Sequence, residues 1–264
     1  MSPELVPYLQ AIFLGVVQGV TEFLPVSSDG HVALSQLLLG NTQGNLFFLV
    51  LLHGASMLAV LSFFWKRILK MTLQDASYLV IGTIPVAIAG ILLKPYLDGL
   101  LATSWVVGVC LLITGSFNMY TDRALHSSRT QRTTINPLDA LLIGTAQIIA
   151  LLPGLSRSST TIASGLSRGL TRQVAFEFAF LLSIPAILGA LVLELSPVIS
   201  GEITANTLSA DPLLGAGPLL SGLVATFVSG LASLKLLQYV VSHAKFAFFG
   251  WYCLLLGAAT LILF

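Results

Sequence analysis

The stretch "LLPGLSRSSTT", residues 151–161, stands between two apolar runs. Proline and glycine break helices and an arginine in hydrocarbon is costly, so Pro153, Gly154 and Arg157 mark a point where regular helix is given up. The surroundings make that cost informative. Of 264 residues, 56% are hydrophobic and 9% charged, with a mean hydropathy of +0.93. Soluble domains carry about 25% charged residues, so the chain reads as an all-α polytopic membrane protein, a single integral membrane domain over 1–264. The formal net charge of +1 carries no signal for nucleic acid, and none is expected as a partner. The first four residues lack a basic n-region and no small-residue cleavage site follows, so the first apolar segment is expected to be retained. Cys110 and Cys253 lie in apolar runs and read as small buried hydrophobes.

A membrane span needs about 20 apolar residues, with roughly 17–25 tolerated. Six stretches meet or approach this, near 46–64, 79–94, 105–120, 176–195, 218–235 and 246–264. Two others are interrupted: residues 7–39 at "TEFLPVSSDGH" and residues 137–167 at "LPGLSRSSTT". Each splits into two arms, the second too short to cross alone.

Charge placement decides what the arms do. Lys66, Arg67, Lys70, Arg123, Arg129, Arg132, Arg168, Arg172, Lys235 and Lys245 all fall on one side if the six long stretches each cross once. Basic loops stay cytoplasmic, and the loop 196–217, with Glu202 and Asp211 but no lysine or arginine, then faces outward. Only Lys94 and Arg157 are left over. Trp65 and the adjacent basic residues mark the cytoplasmic interface. Residues 132 and 168 share a side, so the segment between them enters and returns as a re-entrant helical hairpin. By the same count the first interrupted stretch dips in from the outer side, and both termini are periplasmic. Irregular backbone at membrane depth is tolerated only beside protein or a watery cavity, so the two tips should meet near the midplane.

An internal repeat supports this plan. "LGVVQGVTEFLPVSSDGH" (14–31) echoes "IGTAQIIALLPGLSRSSTT" (143–161): Gly15, Gln18, Pro25 and Ser28 are answered by Gly144, Gln147, Pro153 and Ser156. "GVCLLITG" (108–115) likewise echoes "GWYCLLLG" (250–257). The halves, 1–120 and 137–264, joined by a cytoplasmic linker at 121–136, therefore read as an inverted-topology repeat with its site where the broken helices meet.

The tips supply complementary chemistry. Gln18 and Glu22 are four residues apart and share a helix face. A glutamate in an apolar helix reads as functional, and beside it His31 can orient and activate a hydroxyl. The second tip sets Ser156, Arg157, Ser158, Ser159, Thr160 and Thr161 after Pro153-Gly154 at a helix start, where free N–H groups and a guanidinium make an anion site. Together they could handle a phosphate ester or anhydride at the lipid boundary. A transporter or flippase for an anionic lipid phosphate is the alternative, since inverted repeats serve alternating access. Glu22 with Ser28 and His31 argues against it, because a pure anion carrier has little use for a carboxylate beside its phosphate.

"QGVTEFLPVSSDGH" (18–31) with "LLPGLSRSSTT" (151–161) resembles the paired signature of the undecaprenyl pyrophosphate phosphatase family, the bacitracin-resistance type. The likeness runs across the chain and includes "LHGASMLAVLSFFWK" (52–66). The resemblance implies a bacterial inner-membrane hydrolase that removes the terminal phosphate of undecaprenyl diphosphate and so recycles the lipid carrier for peptidoglycan. It also implies a divalent cation, Mg2+ or Ca2+, and a pocket open to the periplasm. Carried over by position, the site comprises Gln18, Glu22, Ser27, Ser28 and His31 with Ser156, Arg157 and Thr161.

On this reading Ser28 is the nucleophile, Glu22 and His31 position and deprotonate it, and Arg157 with the second tip's amides stabilises the phosphoryl oxygens. Phosphate binding falls to Ser27, Gly154, Ser156, Arg157, Ser158 and Thr161. Direct attack by water remains an open variant. Gln18 stands where many members have a second glutamate, which leaves Glu22 as the main metal ligand with Gln18 in a weaker place. Asp29 stands where a small hydroxyl residue is common. It is either a further ligand or the N-cap of a helix beginning near Gly30, the cap being preferred. Membrane lipids are the expected surroundings, and the oligomeric state stays open, a homodimer among the options.

Overall fold

A computed structural model describes residues 4–40, 46–101, 103–125, 132–200, 211–243 and 246–263. Each apolar stretch becomes a helix: α1 (Val6–Phe23), α2 (Ser28–Leu38), α3 (Leu46–Phe63), α4 (Trp65–Ile68), α5 (Leu73–Leu101), α6 (Ser104–Leu125), α7 (Pro137–Gln147), α8 (Arg157–Ser167), α9 (Arg172–Ile199), α10 (Ala216–Ser242) and α11 (Ala247–Leu263). A 3-10 turn, Ile148–Leu151, follows α7. Among the described residues there is no strand, only an isolated pairing of Arg132 with Leu170.

Four helices are long and apolar enough to cross a membrane, over Leu73–Tyr96, Ser104–Arg123, Arg172–Val198 and Ala216–Ser242, while Phe47–Phe63, Pro137–Leu151 and Ala247–Leu263 are shorter apolar helices. The outer faces carry exposed Val80, Ile84, Ile88, Leu220, Val224 and Val228, as lipid contact requires. Arg129, Glu202 and Lys245, used above in the charge argument, lie outside the described residues, as do residues 126–131 of the linker.

Several helices overrun their apolar stretches. Expected from 79 to 94, α5 starts at Leu73, because Thr72 and Asp75 exchange reciprocal hydrogen bonds (3.0 and 3.1 Å) that cap an earlier turn. It also runs past Pro85 and Pro95 to Leu101. The linker expected from residue 121 begins as helix, since α6 continues to Leu125.

Helix pairs form where small residues let backbones touch. On α1, a Cβ added to Gly15 would stand 2.4 Å from the Gly222 carbonyl oxygen of α10. The counterpart of Gly15 in the repeat, Gly144 of α7, would place one 1.9 Å from the Gly82 carbonyl oxygen of α5. Between α6 and α11, Gly108 lies on Gly257 and Gly115 on Gly250, an antiparallel crossing of the two echoing segments. The remaining contacts follow the same pairing: α3 packs on α10 as α9 packs on α5, and α3 meets α9.

Ion pairs collect the basic residues at one end of the bundle. Arg67 pairs with Glu177 at the start of α9 and with Asp75 at the start of α5 (3.2 Å), and Arg172 donates to the Ser242 carbonyl at the end of α10 (3.1 Å). Lys94, left over by the charge argument, meets Glu194 near the other end of α9 at 2.8 Å.

The second interrupted stretch returns to its starting point. Arg132 N–H donates to the Gly169 carbonyl (2.7 Å) and Thr171 N–H to the Arg132 carbonyl (2.9 Å), so the chain closes on itself around α7 and α8. Asp139, fully buried, locks this base: it accepts two bonds from Arg132 (2.9 and 3.0 Å) and one from Arg168 (2.9 Å), and completes a capping box with Asn136. Asp139→Ala removes all of these at once and is expected to lower stability by about 2–3 kcal/mol, read as a lower midpoint of thermal unfolding in detergent.

Candidate active site

Both tips are built alike. Helix α1 ends because Leu24, preceding Pro25, is driven to extended backbone (ψ 149°), and the 3-10 turn after α7 ends at Leu152, preceding Pro153, for the same reason (ψ 130°). Each chain then turns through a left-handed residue, Ser27 at φ 72° or Gly154 at φ 96°, before α2 or α8 starts. Ser27 caps α2 by accepting from Gly30 N–H at 3.4 Å, and Ser156 caps α8 by accepting from Ser159 N–H at 3.2 Å.

The tips meet. A Cβ on Gly30 would stand 3.3 Å from the Gly154 Cα, and Ser158 donates across to the Leu24 carbonyl at 3.2 Å. Helix α6 braces both. Its Asn118 donates to the Pro25 carbonyl (2.6 Å) and accepts from Ser159 (2.7 Å), while its Thr114 donates to the Gly154 carbonyl (2.9 Å) and accepts from Ser156 N–H (3.1 Å).

At the junction lies Glu22, its side chain only 3% exposed. One oxygen, Oε2, accepts from Ser28 Oγ at 2.7 Å and from Gln18 Nε2 at 2.9 Å. The other, Oε1, is bound by the Arg157 guanidinium of the opposite tip. Helices α2 and α8 both begin here, so two positive dipole ends and an arginine converge beside one hydroxyl.

The structure thus brings Gln18, Glu22, Ser28 and Arg157 into one cluster, and treats the other expected residues differently. Ser156, Ser158 and Thr161 are buried with their hydroxyls engaged inside the protein, Thr161 donating to the Arg157 carbonyl at 2.8 Å. A hydroxyl proton used inward leaves only lone pairs for a phosphate. Gly154 packs on α6, where a Cβ would stand 2.7 Å from the Val107 carbonyl oxygen.

His31 does not touch Ser28 or Glu22: Nδ1 lies 2.7 Å from the Ser27 carbonyl oxygen and Nε2 lies 2.7 Å from the Tyr252 hydroxyl. The preferred reading of Asp29 as a cap is corrected, since Ser27 holds that position and Asp29 sits one residue inside α2 with its carboxylate 3.5 Å from His53 Nε2.

His53 is the main residue the sequence reading passed over. It donates from Nδ1 to the Leu49 carbonyl at 2.9 Å, leaving Nε2 between Asp29 and Glu22, 3.6 Å from the latter. Its signal was present, as the only ionisable group in the apolar run 46–64. Asn118, an amide in an apolar span, offered a weaker one, and Tyr252 none.

A bundle of apolar helices enclosing a carboxylate, hydroxyl and guanidinium defines a multi-pass membrane protein with a polar centre suited to phosphate chemistry. Comparison with known proteins names the group. The model of the bacitracin resistance protein BacA family matches residues 11–259, and the chain belongs to that family. It is similar to an undecaprenyl-diphosphatase of Korarchaeum cryptofilum (36% identical, covering 96% of this chain and 98% of the relative). It is likewise similar to one of Methanosphaera stadtmanae (34%, 97% of each) and to undecaprenyl-diphosphatase 1 of Shouchella clausii (36%, 96% of this chain and 95% of the relative).

Proposed function

We propose that this chain is an undecaprenyl-diphosphate phosphatase, releasing the terminal phosphate of the lipid diphosphate and returning undecaprenyl phosphate to cell-wall synthesis. The observation that carries the reading is the bond from Ser28 to Glu22, a carboxylate held in turn by an arginine from the other tip. Ser28 Oγ attacks the terminal phosphorus as its proton passes to Glu22 Oε2. The bond from that phosphorus to the bridging oxygen breaks, and the lipid monophosphate leaves. Water then cleaves the phosphoserine, releasing phosphate and restoring the hydroxyl. Arg157 and the N–H groups opening α2 and α8 stabilise the phosphoryl oxygens. His31 is supporting structure in this scheme, because its nitrogens are committed elsewhere.

The surrounding architecture is that of an inverted repeat of six spans and two re-entrant hairpins. Support comes from the matched contacts of α1 on α10 with α7 on α5, from the antiparallel glycine crossing of α6 and α11, and from the closed base at Arg132. The basic end faces the cytoplasm of a bacterial plasma membrane, and the pocket opens to the periplasm.

For the divalent cation that the family resemblance implies, the donor set allows one arrangement. Both oxygens of Glu22 are engaged, whereas Asp29 is 43% exposed with His53 beside it. Asp29, with substrate oxygens and water, fits the way magnesium is usually held. When bound, the ion would neutralise phosphate charge. The test is phosphate release from undecaprenyl diphosphate by purified protein in detergent, with and without EDTA. Cation-dependent release is expected, with Asp29→Ser needing about tenfold more magnesium, a difference of ~1.4 kcal/mol in binding. A folded protein that binds the lipid and releases nothing would point to a carrier.

A further inference from the structure

We propose that Tyr252 of α11 is a positioning residue of this site, acting through His31 on the turn that presents Ser28. The proposal rests on the phosphatase reading above. Among the described residues, Ser27 is the only non-glycine at positive φ, a strained conformation that persists only when its surroundings hold it. What holds it is visible. Its hydroxyl caps α2 through Gly30 N–H, and its carbonyl lies 2.7 Å from His31 Nδ1. The next residue in the chain is Ser28, aimed at Glu22.

A carbonyl oxygen can only accept, so Nδ1 of His31 carries the hydrogen, and in the neutral ring Nε2 is then a bare acceptor. Facing it at 2.7 Å is the Tyr252 hydroxyl, and the two rings stack with centroids 5.5 Å apart and planes 13° apart. The Ser27 carbonyl sets that tautomer, and the phenol O–H, donating to the acceptor it leaves, holds the ring in place against the turn. In the other tautomer, an Nδ1 lone pair would oppose the Ser27 carbonyl oxygen across a hydrogen-bond distance, and the strained turn would keep only its longer bonds from the Gly30 and His31 N–H groups, 3.4 and 3.3 Å. The second half of the chain would thus serve the nucleophile twice: Arg157 holds its base and Tyr252 fixes its turn.

Tyr252→Phe keeps the ring stack and deletes the donor. It is expected to lower kcat on the order of tenfold with KM for undecaprenyl diphosphate unchanged, since Arg157 and the helix N-termini are untouched. In a His31→Asn background the same substitution should have no further effect, the coupling that marks action through His31. Equal losses in both backgrounds, or wild-type kcat in Tyr252→Phe, would overturn the proposal. A second readout is independent of turnover: 15N spectra of histidine-labelled full-length protein in detergent, with His31 assigned by its loss in His31→Asn. The Nδ1–H tautomer is expected in wild type with Nε2 shifted by its hydrogen bond, and that Nε2 shift is expected to be lost in Tyr252→Phe. An unchanged Nε2 shift sinks the idea even if the wild type releases no phosphate, an outcome that would by itself count against the phosphatase reading alone.

Discussion

Arg157→Ala is expected to lower kcat/KM for diphosphate hydrolysis on the order of 1,000-fold, the usual scale for removing a guanidinium that meets transferring phosphoryl oxygens. Two losses combine in that figure. The transition state loses its main fixed positive charge, and Glu22, almost wholly buried, loses its counter-ion. A buried carboxylate left without its partner is costly, and Glu22 is then no longer held where Ser28 meets it. Arg157→Lys separates the two effects. A lysine restores charge near Glu22 without the planar fork that binds carboxylate and phosphate together. Thermal stability should therefore recover in Arg157→Lys while most of the activity does not. If Arg157→Lys recovered both, the guanidinium would be a structural counter-ion and the anion site would lie elsewhere.

That centre was half legible in the sequence, for a physical reason. A tip in hydrocarbon announces itself: Pro25 and Pro153 end helices, Gly154 permits a left-handed turn, and Glu22 and Arg157 are too costly there without a use. Their meeting followed from counting basic loops. The supporting residues lie on distant helices, as single polar groups among apolar neighbours. His53 comes from α3, Asn118 from α6 and Tyr252 from α11, and nothing local says which tip each one reaches. The hydroxyls of the second tip show less in line than in space. Ser156, Ser158 and Thr161 look like an anion cradle when read in line, yet the Leu24 and Arg157 carbonyls and the contact between the Ser156 and Ser158 hydroxyls engage them inside the protein, as short hydroxyl side chains in helices commonly are. Helix ends were misjudged because apolar windows report where hydrocarbon begins, whereas α5 and α6 continue until their hydrogen bonding stops.

Ser28→Ala carries the largest expected effect and decides the mechanism. If Ser28 is the nucleophile, its removal should cost on the order of 10,000-fold or more in kcat, the scale seen when a covalent nucleophile is deleted and only binding and electrostatic stabilisation are left. Lipid binding should persist, because Arg157 and both helix N-termini are intact, so the dissociation constant for undecaprenyl diphosphate is expected to stay within about threefold, less than ~0.7 kcal/mol. Acid-quenching wild type with substrate labelled in its terminal phosphate should leave label on Ser28, and the variant should leave none. Direct attack by water predicts a different pair of results. With Glu22 as base and the serine hydroxyl merely its neighbour, an alanine would leave space for another water, turnover would fall only about 10- to 100-fold, and no label would stay on the protein. The 2.7 Å bond from Ser28 to Glu22 Oε2 favours the covalent route, since the hydroxyl already occupies the position from which that carboxylate would draw a proton.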